Sequence, residues 1–305
     1  MLTLSIVQNA LEVGFIYALV ALALFLSFST LNIADMTTDG SFTLGCAVSA
    51  AVCLMGHPIL ALPAAMIAGA LAGFITAFLQ TRLGVPSILA GIVTNTGLYT
   101  VNLAVMGFSS NLSLFSSDTI FTLAEETLEP VLGSWDRLAV AVLITGVVCL
   151  LTVRFLGTRL GISIRATGDN PDMVRASSIN TSLMITVGLC VANAMTSLSG
   201  AILAQYNKSA DINLGTGMVV IGLASLIIGQ TLVGRGGMGR SVLAVVVGSV
   251  LYRFVIAIAL RMNVPAECLK LVSAVIVGFA ISLPTLKNWV AFQRKKRAAV
   301  RGGRE

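Results

Sequence analysis

The chain's 305 residues are 56% hydrophobic and only 10% charged, with a formal net charge of +6. Soluble globular domains average about 45–50% apolar and about 25% charged, which excludes that class. Runs of roughly 18 or more apolar residues recur along the whole length, each a candidate membrane-spanning helix. The short alternating segments of a membrane β-barrel do not occur, so the chain reads as an all-α polytopic membrane protein.

Nine apolar spans are expected, at about 10–30, 41–56, 59–80, 86–107, 137–156, 183–205, 217–233, 241–260 and 267–286. The first has no basic leader and is full length, so it reads as a retained span rather than a cleaved signal. The second is short, and Asn32-Ile33-Ala34-Asp35-Met36-Thr37-Thr38-Asp39-Gly40-Ser41 precedes it. Two aspartates facing lipid would be costly, so this stretch faces protein, water or the cytoplasm. It is either a broken helix lining a cavity or an interfacial turn whose Asp39 or Ser41 caps the next helix. Ala210-Asp211, followed by Gly215 and Gly217, repeats the theme before the seventh span. The two stretches fall on opposite sides of the membrane in this topology, which is the pattern of an inverted repeat.

Much of the positive charge sits in one tail, Arg294-Lys295-Lys296-Arg297 with Arg301 and Arg304. Basic clusters beside a span stay cytoplasmic and can touch anionic lipid, which argues against nucleic acid as a partner. Counting back from that tail puts 157–181, the Gly234–Arg240 turn and the Arg82 turn inside, and the N-terminus outside. The segment 108–135, with Asp118, Glu125, Glu126 and Glu129 and no Lys or Arg, falls outside. The expected organisation is one transmembrane domain over 1–290 and a basic cytoplasmic tail over 291–305.

Motifs for chemistry are sparse. Cys46, Cys53, Cys149, Cys190 and Cys268 form no metal-ligand or disulfide pattern, and the lone His57 stands before Pro58 in a short turn. No P-loop occurs, so ATP is not held by that route. Gly234-Arg235-Gly236-Gly237-Met238-Gly239 matches a dinucleotide fingerprint but lies between two spans, with no acid before Glu267, and reads as a tight turn. The chain is not expected to be an enzyme. Gly69-Ala70-Leu71-Ala72-Gly73 offers a small-residue face for close helix approach. Asn95, Thr96, Asn102, Asn193, Thr196, Ser197 and Gln205 are polar residues within spans; interhelical bonding suits all of them, and pore lining is a second reading for Asn95, Thr96 and Asn193. Arg253 is expected to snorkel to water or to pair with Glu267 or Glu12.

The segment 157–181 carries Arg159, Arg165, Asp169, Asp172 and Arg175 between two spans. Asn170 suits an N-cap and Pro171 the first position of a helix, with Asp172 at its positive end. Met173, Val174, Ala176 and Ile179 would give that helix an apolar side. It fits a groove on a soluble protein, or lies flat on the membrane or packs under the bundle.

The pattern Arg159-x-Gly161-x-x-Ile164-Arg165-Ala166-x-Gly168-x-Asn170-Pro171, with Arg175 and Ile179, resembles the cytoplasmic coupling loop of ABC importer permeases of the branched-chain amino acid/ribose type. Asn32-Ile33-Ala34-Asp35 through Asp39-Gly40-Ser41-Phe42-x-Leu44-Gly45 resembles the tryptophan/tyrosine-type subgroup. The resemblance implies two permease copies around one path, two cytoplasmic ABC ATPase subunits that bind the ATP, an extracytoplasmic substrate-binding protein, and the bacterial inner membrane. It places Arg159, Arg165, Gly168, Asp169, Asn170, Pro171, Asp172 and Arg175 against the ATPase. Asp35, Asp39, Asn95, Thr96, Asn193 and Asp211 are the candidates for the translocation path. No cofactor is expected in the chain itself. An amino acid is the expected cargo, with a sugar- or nucleoside-type importer, or an ion-coupled secondary carrier, as alternatives.

Overall fold

The computed structural model describes residues 4–125, 135–234 and 236–261, together with isolated helical positions at 271, 274, 275, 278 and 282. Six helices among these are long and apolar enough to cross a membrane, and two apolar helices are shorter. The expected ninth span, 267–286, lies outside the described residues apart from those isolated positions, as does the basic tail.

Helix α1 (Leu4–Leu24) continues into a π-helical turn, Phe25–Thr30, where the Ser27 and Thr30 hydroxyls donate back to the Ala23 and Phe25 carbonyls. Asn32 then takes a positive φ of 56°, and the chain reverses into α2 (Thr38–Leu54). Helix α3 (Pro58–Arg82) opens with Pro at its first position, where the missing N–H is no loss. Helix α4 (Ser87–Val105) follows. The segment 108–135, expected to lie outside the membrane, holds strand β1 (Asn111–Ser113) and helical residues 120–125. Helix α5 (Asp136–Gly157) leads to two short helices, α6 (Arg159–Asp169) and α7 (Pro171–Ala176). Helix α8 (Thr181–Asn207) is followed by strand β2 (Ser209–Asp211), α9 (Met218–Val233) and α10 (Met238–Arg261). The antiparallel β1–β2 pair, with Asn111 opposite Asp211, is an addition to the all-α expectation.

Helix α8 is the axis of the bundle, packed by α1, α2 and α3. Glycines bring the backbones together: a Cβ at Gly45 or Gly200 would run into the α8–α2 backbone contact, and one at Gly69 or Gly73 into the backbone of α8 at Asn193 or Leu189. Because lipid is as apolar as the side chains, close van der Waals approach and interhelical hydrogen bonds replace hydrophobic burial as the cement. Cys46 Sγ and Ser49 Oγ of α2 donate to the Gly200 and Ala201 carbonyls, and Ser197 Oγ of α8 donates to the Ala65 carbonyl of α3 at 2.7 Å. On the opposite side α3 turns Ile67, Leu71 and Phe74 outward, and α5 exposes Leu143, Val147, Leu150 and Leu151. The sequence reading of Gly69 to Gly73 as a close-packing face agrees with this.

Two ends of the bundle can be told apart. At one, α6 packs beneath the end of α1, since a Cβ on Gly168 would strike the Thr30 carbonyl. At the other, the β pair sits by the α2–α3 turn, where Gln205 Nε2 donates to the Pro58 carbonyl at 3.2 Å. Helix α2 is parallel to α8, with Ser41 level with Asn193 and Ser49 with Ala201. Its first residue therefore lies about nine residues, or roughly 13 Å, deeper than that of α8. The second span thus starts inside the bundle, which explains its shortness; its helix begins at Thr38 rather than 41.

Arg253 meets an aromatic partner that the sequence reading did not name. Its guanidinium carbon stands 5.0 Å over the centre of the Tyr17 ring, a cation–π contact. Glu12 is engaged elsewhere, accepting from Tyr206 Oη at 2.7 Å and from Gln8 Nε2 at 3.0 Å, and Glu267 lies outside the described residues.

Candidate functional site

The buried start of α2 carries the two aspartates, and they do different things. Asp35 is 4% exposed; its Oδ1 accepts from the Thr37 N–H at 2.8 Å and its Oδ2 from Asn193 Nδ2 at 2.7 Å. Asn193, near the midpoint of α8, also accepts from Ser41 Oγ at 2.6 Å and donates to the Leu189 carbonyl. This pair stitches the 31–37 turn to α8 and faces protein.

Asp39 reaches across to α9. Its Oδ2 accepts from the Gly217 N–H and its Oδ1 from the Val219 N–H, both at 2.9 Å. A carboxylate from another helix therefore caps the positive end of α9, a favourable place for negative charge. Gly215 allows the approach: its N–H donates to Thr43 Oγ1 at 3.2 Å, and a Cβ there would collide with the Asp39 carbonyl. The N-termini of α2 and α9 meet at this point. From it, α2 runs to the β-pair end, whereas α9 runs to the other end, where Gln230 Nε2 meets Ser29 Oγ at 3.2 Å.

Beside this junction lies a cavity of about 290 Å³. Asp39, Gly40 and Thr43 of α2 form one wall, Asn95, Thr96, Tyr99 and Asn102 of α4 another, and Ile212, Asn213, Gly215 and Thr216 the rim. Of the six path candidates, Asp39, Asn95 and Thr96 line it. Asp35 and Asn193 do not: they are hydrogen-bonded to each other within the bundle. Asp211 does not either; it is paired in the β ladder, and its Oδ1 accepts from the Asn213 N–H. Sequence reasoning missed Thr43, Tyr99, Asn213 and Thr216, and counted Asn102 as packing. The signal was there for α4, because Asn95, Tyr99 and Asn102 follow an i, i+4, i+7 spacing that shares one helix face.

The segment expected as a loop is largely helical. Thr158 caps α6, its Oγ1 accepting from the Gly161 N–H at 3.2 Å, and Gly161, Ile164 and Thr167 bury one face. Asn170 then caps α7, accepting from the Asp172 and Met173 N–H groups at 3.1 Å, with Pro171 at the first position as expected. Val174 is buried whereas Met173 is exposed. Arg159, Arg165, Asp169, Asn170, Pro171, Asp172 and Arg175 are all exposed, and Gly168 is the residue packed on α1. Arg175 Nε also donates to Thr181 Oγ1 at 3.2 Å, tying α7 to the start of α8.

Residues 6–281 match the family described as the permease component of branched-chain amino acid transport systems. A tyrosine transport system permease protein of Clostridioides difficile is 30% identical over 275 residues, covering 90% of each chain. An uncharacterised protein of Rickettsia prowazekii is 30% identical over 285 residues, 92% of this chain and 98% of its own. The ribose import permease protein of Escherichia coli K12 is 26% identical over 295 residues, 94% of this chain and 87% of its own. No solved structure matches.

Proposed function

The chain belongs to the family of branched-chain amino acid transport permeases, and within it we propose that an ABC ATPase grips α7 while the solute passes the cavity beside Asp39. The protein is a multi-pass membrane permease subunit of an ABC-type importer for a small solute, and not an enzyme. The family context implies an ATPase and a substrate-binding protein as partners.

The finer reading is ours. Helix α7 is an exposed, capped knob, and α6 braces it against the end of α1 at Thr30 and Leu31. That end feeds directly into the turn holding Asp35 and then Asp39, so a push on α7 reaches the cavity wall through packed backbone. This continuity is the observation that carries the proposal. On this reading the α6–α7 end is cytoplasmic and the β-pair end external, in the bacterial inner membrane. The α1–α2 and α8–α9 units each enter as a long helix and leave from the centre as a short one, in opposite directions, which supports an inverted repeat. A second permease copy completes the path. The cargo is an amino acid on this reading, since the tyrosine permease aligns at higher identity than the ribose permease.

Replacing Asp169–Asp172 by a Gly/Ser linker tests the coupling. Co-purification with the ATPase is expected to fall at least ~10-fold, a loss of ~1.4 kcal/mol of binding, while membrane insertion is kept, because all four residues are exposed. Undiminished co-purification would sink the assignment.

A further inference from the structure

Within the reading of the cavity as the solute's path, on which this rests, its wall has a definite chemical bias. Asp39 brings a carboxylate whose two oxygens each accept one backbone N–H, leaving lone-pair capacity on both. Asn102 is 1% exposed; its Nδ2 donates to the Gly40 carbonyl at 3.2 Å, and its buried Oδ1 has no hydrogen-bond partner among the described residues. An unpaired acceptor in a bundle core costs about 1–3 kcal/mol, a cost that a donor in the cavity removes once a small shift of the Asn102 side chain turns its Oδ1 towards it. No Lys, Arg or His lines the cavity among the described residues. The other polar side chains on the walls, Thr43, Asn95, Thr96 and Tyr99, are neutral.

We propose that this cavity takes the donor-bearing end of the solute, a primary amine or a cluster of hydroxyls, onto Asp39 and Asn102, and disfavours free anions. A carboxylate carried by the same molecule is held away from these two residues.

Thiol labelling reads the bias directly. Thr96 is exposed on the cavity wall, and Ser109 is exposed beyond it, so Thr96→Cys and Ser109→Cys give a site and a reference. Each is labelled in membrane vesicles with methanethiosulfonates carrying a trimethylammonium or a sulfonate group, over the background of the parent chain. The ammonium-to-sulfonate rate ratio at Thr96→Cys is expected to exceed that at Ser109→Cys by about 10-fold, the size of effect a one-signed cleft exerts on local ion concentration. Adding Asp39→Asn should remove most of that excess. Equal ratios at the two positions, or a sulfonate preference at Thr96→Cys, overturn the inference while leaving the path reading standing. Failure of both reagents at Thr96→Cys overturns the path reading itself. The comparison of the two cysteine positions needs no change at Asp39, so it decides the matter even where Asp39→Asn fails to accumulate.

Discussion

Asn193→Asp is expected to be among the most damaging single changes in the chain, and Asp35→Asn combined with it should restore most of the loss. Asn193 Nδ2 donates to Asp35 Oδ2 at 2.7 Å, and both side chains are buried. Asn193→Asp removes that donor and sets a second carboxylate against the first, where water cannot screen them. Breaking a buried charged interaction typically costs about 3–5 kcal/mol, and an expected drop of roughly 8 °C in thermal midpoint follows from the usual scaling. The swap variant places an amide at 35 and a carboxylate at 193. The amide oxygen still accepts from Thr37 N–H, its nitrogen donates across to 193, and Ser41 Oγ keeps an acceptor. The donation from residue 193 to the Leu189 carbonyl becomes a contact between a carboxylate oxygen and that carbonyl, so the double variant should regain most of the loss but stay about 1–2 kcal/mol below the parent. Strict additivity of the two changes would show that this pair is not the link between the 31–37 turn and α8. A transport assay adds a second reading, since neither residue lines the cavity.

The long spans were legible because their signal is composition alone: α1 and α8 declare themselves by apolar length. The cap of α7 was legible for a different reason, since Asn170 and Pro171 act within three residues of where they stand. What could not be read was depth. Asp35 and Asp39 are four residues apart in one polar stretch, yet one is bonded into the bundle and the other crosses to α9. That difference is set by partners more than 150 residues away, and no local pattern encodes it. Helix α6 was missed because its buried positions include Gly161 and Thr167, residues that an apolar periodicity does not count. The β pair escaped because each strand is three residues long and finds its partner only after α4 and α8 have brought the chain ends together.

The glycines of α2 and α8 should prove as intolerant as the polar pair, and for a steric reason. A Cβ at Gly45 would overlap the Ser197 carbonyl, and one at Gly200 the Phe42 carbonyl. Both obstacles are backbone, which cannot rotate away, so the helices themselves must separate. Separation by about 1 Å stretches the Cys46–Gly200 and Ser49–Ala201 contacts, each already 3.2 Å, beyond useful hydrogen-bond length. Interhelical bonds in membranes are worth about 0.6 kcal/mol on average, so two of them add about 1 kcal/mol to a typical overpacking cost of about 1–3 kcal/mol. Gly45→Ala and Gly200→Ala are each expected to lower stability by about 3 kcal/mol, and Gly45→Val to prevent accumulation of folded protein. Gly97 sits in α4 with nothing within 4 Å of the place an alanine methyl would take, and Gly97→Ala gains helix propensity of up to about 1 kcal/mol. Thermal midpoints of the purified variants separate the cases. The contrast matters more than either value: if Gly45→Ala matched Gly97→Ala, the α2–α8 contact would not be the close-packed seam on which the cavity wall is hung.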